Sequence, residues 1–204
     1  MSLIKGSINL TRYKVIDKID TPDIDIDFVQ KQLQALRFQS IDETLDTESV
    51  GWVQVLDDLS TAFPPTGFDF GVCYAMGMRV DMRKVSAKMF KRYVAIAIAK
   101  EEERAGRPLS ADERGSRKNF VYAGLMNKAP VNTDVFGVCW FHKRGEVWLA
   151  GTGTKTRERF EALWGKTFGT GLLLKIPYTN ARDIIIKDTL ERISPTSFTA
   201  GRRF

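Results

Sequence analysis

The sequence is short of the side chains that do most covalent and metal chemistry. A single histidine, His142, stands among 204 residues, so neither a histidine metal site nor a Ser-His-Asp triad has enough to draw on. It ends a strand-like run beside Lys143 and Arg144 and reads as a turn-proximal surface residue. The two cysteines, Cys73 and Cys139, are far apart and form no CxxC pair, which excludes a disulfide framework and a zinc site. Both lie in apolar strand-like runs and read as buried reduced thiols. No run approaches the roughly 18 apolar residues of a membrane span. Met1-Ser2-Leu3-Ile4-Lys5 carries no signal-peptide hydrophobic core. The expectation is a cytoplasmic protein with no membrane partner.

What is present is ordinary in amount and unusual in distribution. A hydrophobic content of 43% and a charged content of 27% suit one soluble core, or a core with an appendage. Residues 1–78 carry 6 Lys and Arg against 12 Asp and Glu, residues 79–118 carry 12 against 6, and residues 119–204 carry 13 against 7. From Arg79 to Arg92, six basic residues face one acid, Asp81. An acidic first third followed by a basic remainder points to a polyanion partner, with nucleic acid first.

Alternating Ile8, Leu10, Tyr13 and Val15 predict a strand over 7–15. Pro22 and the following aspartates predict a helix from near Asp25 to about Phe38, with Phe28, Val29, Leu33 and Leu36 at helical spacing. Gly51–Val55 reads as a short strand, and Ala62–Gly67 as turn chemistry. A longer strand is expected from Phe68 to Val80, with Phe70, Val72, Tyr74 and Met76 on one side. A helix from Met82 to about Glu103 places Val85, Met89, Tyr93 and Ile96 on one face and Lys84, Lys88, Lys91 and Arg92 within about a 100° sector. After Ala105-Gly106-Arg107-Pro108, the capping-box pattern Ser110–Glu113 opens a second helix to about Asn127, with Phe120, Val121, Leu125 and Met126 on its apolar side. Strands 135–141 and 146–150 joined at Lys143-Arg144-Gly145, a helix over 156–167 and a strand over 172–176 complete the pattern. The expected fold is α+β: two small antiparallel-sheet α/β units flanking a protruding antiparallel helical hairpin. The divisions are 1–82, the arm 83–128, 129–178, and a tail or the start of a further domain at 179–204.

Candidate chemistry is thin. Gly151-Thr-Gly-Thr-Lys-Thr156 stands where a phosphate loop would, but Thr154 replaces the glycine that must precede the lysine for nucleotide hydrolysis. Lys155, Arg157 and Arg159 remain suited to a backbone phosphate. Asp23, Asp25 and Asp27 suit a helix N-terminus better than a metal, and Glu101-Glu102-Glu103 reads as a solvated helix end. No catalytic residue, metal or cofactor is expected, and the chain is not read as an enzyme. The lysine stripe lacks interleaved acids for i,i+4 pairing, and basic residues recur at Lys143, Arg144, Lys155, Arg157, Arg159 and Lys166. Dispersed cations of this kind give sequence-independent, salt-sensitive binding. The expected DNA contacts are Arg83, Lys84, Lys88, Lys91, Arg92, Lys143, Arg144, Lys155, Arg157 and Arg159. The alternative is a protein-interaction module whose basic arm docks an acidic partner.

Several stretches, in order, resemble the bacterial recombination-associated RdgC family. They are Lys5–Tyr13, Gln30-Lys31-Gln32-Leu33 to Phe38, Gly51-Trp52-Val53, the helical hairpin 83–127, and 135–168 leading to Leu174-Lys175-Ile176-Pro177. The resemblance implies a nucleoid-associated protein that binds double-stranded DNA without sequence preference. It also implies a ring-shaped homodimer around the duplex that restrains RecA-driven recombination. The arm would then meet its mate, and basic residues of the body would line the hole. Two departures stand out. Leu125-Met126-Asn127-Lys128-Ala129-Pro130 replaces a Leu-Leu-Pro-x-Ala-Phe ending, and relatives run about a hundred residues longer. The expectation is a shortened relative or a piece of a longer chain.

Overall fold

The computed structural model describes residues 8–16, 24–44 and 46–176. The readings placed on Ser7, Pro22, Asp23 and the tail 179–204 lie outside the described residues. Six strands, β1 (Thr11–Ile16), β2 (Glu48–Val53), β3 (Tyr74–Arg83), β4 (Val131–Phe141), β5 (Glu146–Leu149) and β6 (Gly171–Leu174), form one sheet in the order β2-β3-β4-β5-β1-β6. Every neighbouring pair is antiparallel. The helices are α1 (Ile26–Ala35), α2 (Ala87–Ala105), α3 (Ala111–Lys128) and α4 (Thr154–Phe168).

The α+β class agrees with the sequence reading, but the strands form one six-stranded sheet and not two separate units. β3 and β4 pair continuously from Tyr74↔Trp140 to Arg83↔Val131, which fuses the halves into one sheet. The arm, α2 and α3, is an insertion in what is otherwise a long β-hairpin.

Alternation along the strands sorts side chains to two faces. Tyr13, Trp52, Met76, Met78, Val80, Val138, Trp140, Val147 and Leu149 point to one face, where Val29 and Leu33 of α1 and Phe160, Leu163, Trp164 and Phe168 of α4 close over them. Trp140 meets Trp164 edge-on at 5.0 Å and Phe168 at 4.9 Å. Buried indole N–H groups need partners: Trp52 donates to Thr167 and Trp164 to Thr170. Among the described residues, the opposite face is covered at the β2–β3 end. There the chain at Arg37–Phe38 runs along β2, with Phe38 N–H donating to Trp52 and Trp52 N–H to Leu36. This crossing requires Gly51, because a Cβ there would sit 2.5 Å from the Phe38 Cα. Arg79 packs on the Phe38 ring and makes two hydrogen bonds to the fully buried Asp81.

Local boundaries differ from expectation for identifiable reasons. The strand expected from Phe68 begins only at Tyr74, because the chain reverses at Asp69–Tyr74 through Gly71 at φ 71°. Phe70 and Val72 are therefore exposed and not on the core side. β3 continues to Arg83, since pairing with β4 holds Met82 and Arg83 extended, and α2 starts after Ser86. His142 is buried, in a 3-10 turn, and stacks on Tyr74 at 4.6 Å. The surface position expected for it is not the one observed. Burial, with Lys143 adding to it, holds its pKa below the ordinary value. Asp25 caps α1 by accepting from Asp27 N–H.

Candidate nucleic-acid interface

The arm is a two-helix hairpin with little core of its own: Val94, Leu109 and Met126 are its buried apolar residues. Ser110 and Glu113 form the full capping box, and Gly106 in the left-handed conformation ends α2. The outer half is held by charge. Arg107 pairs with Glu113, Arg114 with Glu102 and Arg117 with Glu101. Glu102 also accepts from Leu109 N–H, and these contacts hold its carboxyl below its ordinary value. The acidic run, expected as a solvated face, thus stitches α2 to α3 through Glu101 and Glu102.

The inner half of α2 is different. Lys88, Lys91 and Arg92 project together from the exposed side of the helix, and none has a hydrogen-bond or ion-pair partner among the described residues. Lys84 stands before the helix, so it does not extend the helical stripe; it lies instead at the edge of a cleft of about 660 Å³ with Met89, Tyr93, Phe120, Leu125 and Lys128. Met89, Tyr93 and Ile96, expected together on one face of the helix, are all exposed, as is Phe120. Val94 and Phe90 face α3 in their place, Phe90 meeting Tyr122 edge-on.

Other expected contacts are dispersed or engaged. Arg83 turns inward at the root of the arm, donating to the carbonyls of Asn127, Ile41 and Asp42. Arg159 forms a two-bond pair with Glu48, which raises its pKa. Arg157 is half-buried with its Nε unpartnered, and its charge acts on Tyr13. The Tyr13 hydroxyl donates to Glu161, and burial first, then that bond, pushes its pKa up. Lys155 is exposed, and Lys143 and Arg144 are exposed at the β4–β5 turn. β4 has eleven residues, so that turn lies roughly 35 Å along the strand from the arm's root. The structure therefore gathers three of the ten expected contacts into a patch, keeps Lys84, Lys143, Arg144 and Lys155 exposed but apart, leaves Arg157 half-buried, and uses Arg83 and Arg159 internally.

The two cysteines are half-buried neighbours with their thiols in contact; burial raises both and pushes Cys139 up to about 12. Among the described residues no three His, Cys, Asp or Glu side chains converge as a metal site would need, and no helix is long and apolar enough to cross a membrane.

The sheet and the inserted arm both fall within the span of one family model. The model described as "Putative exonuclease, RdgC" matches residues 8–202. The chain belongs to the RdgC family. No curated protein matches it. The match begins near β1 and runs through the whole described body, so the RdgC family assignment covers the arm as well as the sheet. Family membership fits a recombination-related role.

Proposed function

We propose that this RdgC-family protein holds double-stranded DNA by its phosphate backbone, without sequence preference, and so modulates RecA-dependent recombination on the nucleoid. The observation that carries the reading is the contrast within one helix. The outer arm pairs Arg107, Arg114 and Arg117 with Glu113, Glu102 and Glu101, whereas Lys88, Lys91 and Arg92 stand together without an ion pair on one exposed side. Three cations grouped on a rigid helix suit successive phosphates, each contact releasing counterions. Such an array carries no hydrogen-bonding code for base edges, so affinity without sequence readout follows.

The exposed apolar side of α2, with Met89, Tyr93 and Ile96, together with Phe120 of α3, supports a homodimer that buries the arm against a second copy. In this reading the duplex is held and not cut. Gel shift of random-sequence duplex tests it, with a parallel incubation of labelled duplex in Mg²⁺. A shifted, intact duplex is expected; cleavage products would replace the reading with a nuclease. A protein-docking role for the arm is the second reading, favoured by the apolar cleft flanked by Lys84 and Lys128, which suits an acidic partner. Failure to shift duplex would favour it.

A further inference from the structure

The arm joins the sheet through two short links, residues 84–86 between β3 and α2 and Ala129–Pro130 between α3 and β4. Neither helix end is closed there by a side chain: Ser86 makes no capping hydrogen bond, and α3 ends at Ala129 in extended backbone. One guanidinium bridges the joint. Nη1 of Arg83 donates to the Asn127 carbonyl at 3.1 Å, while Nη2 donates to the carbonyls of Ile41 at 2.8 Å and Asp42 at 3.2 Å. Among the described residues it makes the side-chain hydrogen bond that crosses from body to arm. Both ends of this bridge are anchored. The Arg83 backbone pairs with Val131 and donates to the Thr47 carbonyl at 2.9 Å, and Ile41 is buried, its carbonyl also accepting from Thr44 N–H in a turn. Asn127 lies in the last turn of α3, where carbonyls lack helical partners and a cation is favoured.

We infer that Arg83 is a positioning residue: it fixes the angle between the arm and the sheet by pinning the end of α3 to the turn at Ile41–Asp42. Its planar fork of donors reaches carbonyls in two segments at once, which a single ammonium cannot do. With the pin removed, the two links act as a hinge, since a few residues at element ends absorb such motion. Leverage does the rest. α2 rises about 28 Å from Ala87 to Ala105, and a swing of about 15° carries Lys100, about 20 Å out, through roughly 5 Å. Lys88, Lys91 and Arg92 lie in the first two turns of α2 and move little. The side chain expected from the sequence to meet DNA is thereby assigned to the protein's own geometry. The inference concerns the placement of the arm and stands whether or not α2 holds duplex.

Pulsed dipolar spectroscopy tests this on the full chain, with spin labels carried by p-azidophenylalanine in place of Lys100 and Lys31, both exposed, and labelled chain diluted into unlabelled chain. No nucleic acid is needed, so failure of the duplex reading leaves the result intact. The wild type should give one narrow distance distribution. Arg83→Ala should broaden or shift it by about 5 Å or more. Arg83→Lys should do the same, because the charge is kept and the fork is lost. The lysine variant also carries the test should the alanine variant fail to fold. Lys84→Ala, one residue on, should leave the distribution narrow. A second readout separates positioning from phosphate contact: the salt slope of duplex binding should be unchanged in Arg83→Ala, whereas a lost contact would lower it by about one. A wild-type distance distribution in either Arg83 variant, or the lowered salt slope, would overturn the proposal.

Discussion

Several individual residues carry more of the fold than their size suggests. At Gly51 the chain of Phe38 crosses too closely for any side chain, so Gly51→Ala should cost about 1–3 kcal/mol as the crossing is pushed away. A drop in the urea midpoint with unchanged slope would show it. Asp81 is buried with Arg79 as its partner; Asp81→Ala leaves the guanidinium uncompensated and should cost about 3–5 kcal/mol, whereas removing both partners should cost less than the two single changes added together. Glu146 gives a pH signature. Lys175 first, then Trp148 and Arg12, hold its carboxyl at about 2, below the ordinary carboxylate value. A depressed acid stabilises the folded state above its unfolded pKa and loses that contribution as pH falls toward 2. Thermal midpoints of the wild type should therefore fall more steeply between about pH 5 and 2 than those of Glu146→Gln.

At the scale of elements, the arm is the separable part. β3 ends at Arg83 opposite Val131, so the strands are already paired where the arm leaves. Replacing residues 84–130 with an Asn-Gly turn should leave a folded sheet with a cooperative melt, because those two residues close an antiparallel hairpin without strain. Ser110→Ala removes one half of the capping box and should cost the arm about 1 kcal/mol, read as faster amide exchange in α3 with little change in the sheet. The arm also shows what was legible beforehand. Its two helices, the capping box and the turn at Gly106 are local signals and were readable from residue types. Which side of α2 faces α3 was not, because Met89, Tyr93 and Ile96 share a helical face as convincingly as Phe90 and Val94 do. Only the crossing of α3 decides between them. The fusion of the strands into one sheet was likewise hidden, since β3 and β4 meet across an insertion of 47 residues. Arg83 could be placed at the arm's root by its position between strand and helix. Its grip on Ile41, Asp42 and Asn127 depends on distant segments meeting there, an arrangement that no local pattern encodes.

For the whole molecule, the charge asymmetry resolves into surfaces. Acidic residues of the first third are partly consumed by structure: Glu48 holds Arg159, and Asp25 caps α1. Within the basic remainder three groups have distinct placements. Arg79, Arg83 and Arg159 act inside the fold, Arg107, Arg114 and Arg117 brace the arm, and Lys88, Lys91 and Arg92 remain outward. The central claim is that this last group meets duplex phosphates. It is tested most directly by the duplex dissociation constant at several salt concentrations, for the wild type and for each of Lys88→Ala, Lys91→Ala and Arg92→Ala. The account predicts steep weakening with salt, indifference to sequence, and a log–log slope reduced by about one for each cation removed. A flat salt dependence, or slopes unchanged in all three variants, would contradict it.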